Sequence, residues 1–511
     1  MAKSENSLEK LIQLNSGSNK LNSKVDLDLM NSPDNLQIIL SKIKELIDQN
    51  NCNQKSVDIL NEFLHTSDAY FIFPKSKSAV DIIEKYCSIF KLLLKKSIHT
   101  LSHNEEDVPL ERSDFIDISA FSEKLLNLLT DYFKMLLTME KEVKQLYKEP
   151  LVKSLAPSAF ILASSCCTPS LWWNEEMHKS ATCLIDHIID LCDANDLLEL
   201  LSGTENTLFP DGLIATVLKQ LQPALSKECW KRNPMALHCY RWCLFKMSHP
   251  HLGEFIDHVL PPALLLIDDY LPKNKISGIK CIQHIVNNVA PTQLLRHGRA
   301  DVLFSALESQ LYTNDQKLLK NVHACILSII EILDRSKMEK TLNVTRYDSI
   351  LKIILTNMEI DDKIKVRRFY SGILIQYIEQ MKLSIIRFLK RLLPIVANYL
   401  EIYDGPEETS RINILKALNL TIKYAWPRIP HHSDDILKCL LKFMVDISTD
   451  DSLTSLTVKQ MLMQEAQDVL ILLNYSTGGN IVKLLAGIQD VHDNEMFKNA
   501  IVNVCTSTNK E

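Results

Sequence analysis

Acidic turns recur along the second half of the chain at a nearly constant interval. They contain Asp269, Asp315, Asp362, Asp404 and Asp451, so successive turns stand 46, 47, 42 and 47 residues apart. One helix pair of a HEAT or armadillo array has this length, about 40 to 47 residues. Because a single pair buries only part of its apolar surface, neighbouring pairs must stack to complete a core. The interval therefore predicts an array of helix pairs.

The segments between these turns have the pattern of amphipathic helices. From 378 to 399, apolar residues return every three or four positions, which places them on one face of a helix. They are Ile378, Met381, Ile385, Phe388, Leu389, Leu392, Ile395, Val396 and Tyr399. We predict one continuous helix here, a turn at Asp404-Gly405-Pro406 and a second helix running from Ile412 to Ile422.

Local features of the pairs are similar to those of HEAT repeats. Pro262 and Pro394 fall within first-helix segments, and basic residues follow the turns at Lys275, Lys365 and Arg411. We expect the turn aspartates to cap the second helices and the basic residues to reach acidic turns of adjoining repeats. The predicted fold is all-α, a right-handed α-solenoid of HEAT-like helical repeats.

Composition narrows the possible functions. Only 11 of the 511 residues are glycine, about 2% against a usual share of about 7%. Phosphate-cradling loops and strand turns depend on glycine, so this scarcity argues against an enzyme. The net charge is -6 with no extended basic block, which argues against a nucleic-acid partner. We therefore predict a protein that is not an enzyme and uses no cofactor.

Pattern changes along the chain divide it into four parts. Residues 1–33 are rich in Asn, Ser and Lys and predict a disordered tail. We expect divergent helical repeats over 34–230, a HEAT-like array over 231–500 and a second disordered tail over 501–511. The uncharged stretch from Leu155 to Trp173 is long enough for a membrane span, but Pro157 and Pro169 favour a packed helix followed by a turn.

Two groups of residues could suggest chemistry. Adjacent aspartates recur at 268–269, 361–362, 434–435 and 450–451, but neighbouring carboxylates on a turn point apart, whereas acid–base catalysis needs them aimed at one bond. The second group could bind zinc, although it lacks paired C-x2-C knuckles. It contains Cys229, His238, Cys239, Cys243, His249, His251 and His258. Interleaved aromatic residues favour packing, and a zinc-dependent protein remains an alternative.

Cysteine usage indicates the compartment. Thirteen cysteines are scattered without the spacing of a disulfide framework, and the polar N-terminus carries no cleavable signal. We expect reduced thiols in a protein of the cytoplasm or nucleus.

Four stretches of the second half stand in a characteristic order. They are Leu-Pro-Pro-Ala-Leu-Leu-Leu-Ile-Asp-Asp-Tyr-Leu-Pro-Lys-Asn-Lys from Leu260 to Lys275, Arg346-Tyr347-Asp348, Tyr399-Leu400-Glu401 running to Asp404-Gly405-Pro406, and Ala425-Trp426-Pro427-Arg428. In this order they resemble the second Tel-two-interacting protein family, a subunit of the Triple T (TTT) co-chaperone complex. The resemblance extends from Leu260 to about Leu485.

The resemblance implies a scaffold or adaptor role. It implies partnership with the Tel-two protein and the first Tel-two-interacting protein, and work with the large heat-shock chaperone machinery. The implied clients are phosphatidylinositol-3-kinase-related kinases such as mTOR, ATM and ATR, and residence in both cytoplasm and nucleus is implied. A HEAT-repeat transport receptor or phosphatase scaffold is the alternative, since one fold serves many functions.

The expected partner contacts are polar or aromatic residues at the turns and helix ends of the array. They are Asp268, Asp269, Lys273, Asn274, Lys275, Asp404, Glu407, Trp426 and Arg428. Each also has a structural interpretation, since an aspartate can cap a helix and a Trp-Pro pair can end one.

Overall fold

The computed structural model describes residues 33–49, 54–76, 78–97, 110–335, 345–451, 454–487 and 494–507. Regular structure in these ranges is entirely helical. The α-helices of the first part are α1 Pro33–Gln49, α2 Gln54–Thr66, α3 Ala69–Ile72, α4 Ala79–Ser97, α5 Ile116–Thr138, α6 Lys141–Ser165, α7 Glu175–Leu191, α8 Leu197–Ser202, α9 Leu213–Leu221, α10 Pro234–Lys246, α11 Ile256–Asp268, α12 Pro272–Asn288 and α13 Pro291–Leu295.

Ten further α-helices follow in the described ranges. They are α14 Arg299–Glu308, α15 Gln316–Arg335, α16 Arg346–Ile360, α17 Ile364–Met381, α18 Leu389–Glu401, α19 Thr409–Ala425, α20 Ser433–Thr449, α21 Leu456–Ser476, α22 Asn480–Ala486 and α23 Glu495–Ser507. Short 3-10 helices lie at Arg112–Phe115, Trp230–Arg232, His251–Phe255, Arg296–Gly298, Ser309–Tyr312, Lys382–Phe388 and Ile429–His432. The helices form two compact units, Met1–Leu294 and Leu295–Glu511.

The first unit is built around α6. This helix packs against α4, α7, α9 and α10, and α11 pairs with α12. Its core contains an aromatic cluster in which the ring centroid of Phe73 lies 5.3 Å from both Tyr132 and Tyr147. Helix α6 includes Pro157, ends at Ser165 and is followed by the turn with Pro169, so the sequence prediction for 155–173 is confirmed.

The second unit stacks helix pairs in sequence order. The pairs are α14–α15, α16–α17, α18–α19 and α20–α21. First helices pack on first helices, as α18 does on α16, and second helices on second helices, as α19 does on α17. All four turn aspartates of this unit lie between the two helices of a pair. The predicted α-solenoid of HEAT-like repeats is confirmed.

Ion pairs join successive helix pairs of the second unit in a directional pattern. Along the first helices, a basic residue of the later pair contacts an acidic residue of the earlier pair. These contacts are Arg346 with Asp301, Arg387 with Asp348, Arg391 with Glu359, and Lys442 with Glu401. Along the second helices the direction is reversed, as in Arg368 with Asp404 and Lys416 with Glu465.

The prediction of one continuous helix over 378–399 is wrong. Helix α17 ends at Met381, Lys382 takes a left-handed φ of 47°, and a 3-10 helix leads into α18. All nine apolar residues of the predicted stripe are nevertheless buried. Since both helices turn their apolar faces toward the same core, the spacing continues across the break and does not reveal it.

The predicted basic contacts between repeats are wrong at Lys365 and Arg411. Lys365 is exposed, and Arg368, one helical turn later, reaches the next acidic turn instead. Arg411 forms its ion pair within its own turn, 3.5 Å from Glu408, and its guanidinium also lies 5.6 Å from the centroid of the Phe443 ring in α20. Lys275 lies half-buried in the first turn of α12, and its contact with an adjoining repeat stays a prediction.

Helix α23 corrects the predicted C-terminal tail. It runs to Ser507 and buries Ile501 and Val504, so the tail assigned to 501–511 is wrong over 501–507. Residues 508–511 lie outside the described part of the chain, as does the predicted N-terminal tail except for Pro33, where α1 begins. The limit predicted at 230–231 falls inside the first compact unit, and the four-part division stays a prediction.

Asp404 connects two repeats at a buried position. Its Oδ1 accepts a hydrogen bond of 2.8 Å from Arg368 Nε, and its Oδ2 accepts one of 2.6 Å from the backbone N–H of Ser410 in α19. Arg368 Nη2 also donates to the Asp404 carbonyl at 2.7 Å. One carboxylate therefore caps the second helix and binds the preceding second helix.

Replacing Asp404 with alanine should loosen the start of α19, because it leaves the Ser410 N–H without its acceptor and removes one of the two carboxylates that Arg368 contacts. We expect a local loss of about 2 kcal/mol. Amide exchange over 405–412, measured by mass spectrometry, should become roughly 30-fold faster. Lys365→Ala on exposed surface is the matched control and should leave this exchange unchanged. Equal exchange in Asp404→Ala would contradict the capping role.

His323 gives the second unit a dependence on pH. The ring lies buried between α15 and α17, with Nδ1 3.0 Å from the Tyr377 hydroxyl and Phe369 beside it. Burial lowers the pKa of His323 from its usual 6.5 to about 4. The unfolded chain therefore binds a proton more readily than the folded chain between these values, so stability falls as pH drops from 6.5 toward 4.

Substitution of His323 by glutamine should remove the part of the pH dependence of stability that comes from this residue. For the native protein we expect the free energy of unfolding to be about 2 kcal/mol lower at pH 5 than at pH 7.5 from this residue alone. Urea unfolding monitored by circular dichroism at the two pH values provides the measurement. His323→Gln should show a smaller difference between them, and an unchanged difference would rule out His323 as its source.

Candidate partner-binding surface

The nine predicted contact residues fall into three separate places. Five lie at the α11–α12 turn of the first unit, and the other four belong to the second unit. There, Asp404 and Glu407 precede α19, whereas Trp426 and Arg428 follow it. A helix of this length spans about 25 Å, so the structure does not bring these two groups together.

At the α11–α12 turn, the paired aspartates face different surroundings. Asp269 is buried, with Lys231 Nζ 3.1 Å from its Oδ1 and the Asn274 amide donating to Oδ2 at 2.5 Å. Asp268 and Lys273 are exposed. Asp269 and Asn274 thus hold the turn, which leaves Asp268 and Lys273 as the residues a partner can reach. The carboxylates diverge, as expected for a turn.

Lys231 extends this turn into a small aromatic surface. Its Nζ lies 4.8 Å from the ring centroid of Tyr270, and Tyr270 is 52% exposed. The neighbouring Leu271 is 43% exposed. A cation over an aromatic ring beside an apolar side chain is typical of a protein contact surface.

The predicted residues of the second unit divide in the same way. Asp404 is buried and structural, but Glu407 is exposed and lies 2.9 Å from Arg368 Nη2. Trp426 is 62% exposed at the end of α19, followed by the exposed Arg428. A large exposed tryptophan beside an arginine has the composition of a binding hot spot.

Sequence analysis missed a series of exposed apolar residues near the turns of the second unit. Tyr312 and Ile360 are about three-quarters exposed, and Leu456 is 62% exposed. Tyr312 and Ile360 precede turn aspartates, and Leu456 follows one. A large apolar residue next to an acidic turn is the signal that could have identified them, because the turn itself faces solvent.

The cysteine and histidine group is a packing region around His238, Cys239 and Cys243, whereas His249 and His258 are exposed. Cys239 and Cys243 are buried with their Sγ atoms 3.9 Å apart, and Cys239 accepts a hydrogen bond from Ser164. The His238 ring packs against Trp172, with centroids 4.8 Å apart, and burial lowers the pKa of His238 to about 4. Within the described ranges, no three Cys, His, Asp or Glu residues converge into a metal-binding arrangement.

None of the helices in the described ranges is both long and apolar enough to cross a membrane. This applies to α6, which carries the uncharged stretch.

A model of the Tti2 family matches residues 160–403. TELO2-interacting protein 2 of Homo sapiens is 35% identical over 337 residues, and that of Mus musculus is 40% identical over 280 residues. The chain belongs to the Tti2 family.

The matches cover about two thirds or less of this chain and of its relatives. The human match covers 65% of this chain and 66% of the human protein, and the mouse match covers 54% and 55%. The family match begins at 160, about one hundred residues before the start expected from the resemblance, and ends just before Asp404. It thus includes α7 to α18 and the α11–α12 turn, while Trp426 and Arg428 lie beyond it.

Solved structures with partly similar helix arrangements include a Kap95:Nup1 complex and importin beta. A Kap95:Nup1 complex gives a TM-score of 0.41 with 14% identity over 94% of this chain and 58% of the other. Importin beta crystallised in ammonium sulfate gives a TM-score of 0.43 with 10% identity, and the match covers 95% of this chain and 66% of the importin beta chain.

The buried cysteines of this Tti2-family protein should react more slowly than its exposed cysteine. Burial raises the pKa of Cys166 to about 12 and that of Cys243 well above its usual range, whereas Cys183 is exposed. We expect N-ethylmaleimide at neutral pH to modify Cys183 at least tenfold faster than Cys166, Cys239 or Cys243, as measured by peptide mass spectrometry. All should react in guanidinium chloride. Fast native labelling of Cys239 and Cys243 would contradict this packing.

Proposed function

We propose that this Tti2-family protein is a non-catalytic adaptor subunit of a TTT-type co-chaperone complex. Its partners are then the Tel-two protein and the first Tel-two-interacting protein, with the large heat-shock chaperone machinery acting through them. The clients are phosphatidylinositol-3-kinase-related kinases such as mTOR, ATM and ATR, in cytoplasm and nucleus. Family membership carries this proposal, since the relatives are named for interaction with TELO2.

The physical character of the molecule supports adaptor work. Stacked helix pairs offer a long surface on which several partners can be arranged. Exposed aromatic residues lie at helix ends and turns within each unit, Tyr270 in the first and Tyr312 and Trp426 in the second. The acidic pairs and the Cys/His group belong to turns and packed helices, so neither supplies the converging groups that a reaction requires.

Affinity purification of the tagged full-length protein from cells tests the proposal. We expect the two Tel-two-related proteins and kinase clients to co-purify, and a zinc assay on the same sample to show less than stoichiometric metal. Recovery of transport cargo or a phosphatase in their place would favour the alternative scaffolds. Stoichiometric zinc without these partners would favour the zinc-dependent alternative.

Substitution of Trp426 tests whether this residue contributes to partner binding. If this exposed ring enters a partner's pocket, Trp426→Ala removes a large buried contact and should reduce recovery of the Tel-two-related proteins about tenfold. Quantitative mass spectrometry of the purified complexes measures the change. Lys320→Ala, on an exposed position of α15, is the control and should leave recovery unchanged. Full recovery with Trp426→Ala would remove this residue from the contact surface.

A further inference from the structure

Helix α11 carries apolar residues on two faces. Its inner face buries seven residues in the first unit: Ile256, Val259, Leu260, Pro262, Ala263, Leu266 and Ile267. Its outer face presents His258, Pro261, Leu265 and Asp268, which recur at intervals of three, four and three. This spacing is the seam of a helix that packs against a second helix. Leu264 and Leu265 on this side are only half-buried, so the seam has room for a partner.

A groove runs along this outer face. It lies between α11 and α9 with the turn that follows α9, and has a volume of about 440 Å³. Leu218, Leu225 and Pro262 form buried parts of its lining, and Leu264 and Leu265 form its apolar wall. An open groove with such a lining fits the apolar face of an amphipathic helix.

Two adjacent prolines leave one backbone acceptor of α11 without a helical donor. The carbonyl of His258 would normally accept from the N–H of residue 262, or of residue 261 in a 3-10 turn. Both positions are proline, which has no N–H. The His258 carbonyl therefore has neither helical partner, and His258, Pro261 and Pro262 all line the groove. A donor from outside α11 can satisfy it.

Asp268 places an exposed carboxylate at the α11 end of the groove, whose lining also includes the exposed Lys227 of the turn after α9. Asp268 is exposed at the last residue of α11, where the helix dipole adds negative potential. Lys231 is engaged with the buried Asp269 at 3.1 Å, and no cation in the described ranges forms an ion pair with Asp268. Asp268 stands ten residues beyond His258, about 15 Å along the helix. This end therefore favours a basic side chain.

The corresponding groove of the second unit lacks these features. It lies between α18 and α20, has a volume of about 350 Å³ and is lined by Pro394, Lys390, His432 and Asp435 among others. Pro394 removes the N–H that would reach the Lys390 carbonyl, but Leu393 still offers one at 3-10 spacing. Both linings carry charges of both signs, Lys390 and Asp435 here and Lys227 with Asp268 in the first unit. The double proline distinguishes the α9–α11 groove.

We infer that the α9–α11 groove binds an amphipathic helix of a partner protein. That helix presents leucine-like side chains to Pro261 and Leu265, a basic side chain to Asp268 and a hydrogen-bond donor to the His258 carbonyl. The inference rests on the proposed adaptor function for its biological meaning, and it deepens that function by assigning a surface and a partner chemistry.

Synthetic peptides test the groove directly on the full-length protein. Three fluorescent helical peptides of about 18 residues serve as probes. The first has leucines on one face and flanking lysines, the second has the same leucines with flanking glutamates, and the third has the lysines but serines for leucines. Fluorescence anisotropy should show the first peptide binding at least fivefold more tightly than either of the others.

Two variants assign that binding to the groove. Asp268→Lys should weaken binding of the lysine peptide roughly five- to tenfold and strengthen binding of the glutamate peptide. Leu265→Ser should weaken both peptides, with the far-ultraviolet circular dichroism of the fold unchanged. Glu205→Lys makes the same charge change at an exposed loop position and should leave the order of the peptides as in the native chain.

Several outcomes would overturn the inference. Equal binding of the lysine and glutamate peptides, or an unchanged preference in Asp268→Lys, would exclude this groove as the site. Concentration-dependent dimerisation that Leu265→Ser abolishes would assign the groove to a second copy of the chain instead. Since the peptide assay uses no cellular partner, it decides the groove assignment whether or not affinity purification recovers the Tel-two-related proteins.

Discussion

The whole structure depends on apolar surface that no single helix pair can bury alone. In the second unit, α18 covers its apolar stripe only because α16, α19 and α20 lie against it. Each pair thus completes the core of its neighbours, and the stability of one repeat is shared with the next. This explains why the chain needs few glycines and no strands in its described parts. Because the fold is formed by stacked helices, it contains few of the tight turns that require glycine.

Polar contacts determine how the pairs align once they stack. An apolar interface tolerates sliding, but a buried carboxylate that both caps a helix and binds an arginine does not. Asp404 fixes the start of α19 through Ser410 and the position of α17 through Arg368. Arg387 and Asp348 make a comparable contact along the first helices at 2.7 Å. These pairs are partly buried, so water screens them less than it screens surface ion pairs.

The sequence predicted the class of fold and the positions of the turns because both depend on local spacing. It identified the apolar residues of 378–399 but not the break at Lys382, since periodicity reports which face is buried and not whether the helix is continuous. It placed an aspartate at each turn but named Lys365 where Arg368 makes the contact. Which basic residue reaches a neighbour depends on how far one helix is offset from the next, and a single sequence does not contain that offset.

The candidate surface was predictable to a similar degree. Exposed Asp268, Lys273, Glu407, Trp426 and Arg428 lie at turns and helix ends as expected. Burial of the aspartates at 269 and 404 could not be foreseen, because their basic partners Lys231 and Arg368 come from distant parts of the chain. The groove beside α11 escaped notice for the same reason, although its double proline is plain in the sequence.

The directional ion pairs have a consequence for how such an array can grow. The α18–α19 pair carries a complete set of charges: Arg391 faces the earlier first helix and Glu401 the later one, while Asp404 faces the earlier second helix and Lys416 the later one. A duplicated copy of this pair, inserted beside the original, would meet opposite charges on both sides. The ion pairs that align the present repeats would therefore form again on both sides of a duplicated pair. Gene duplication can lengthen the array without further substitutions at the contacts between pairs.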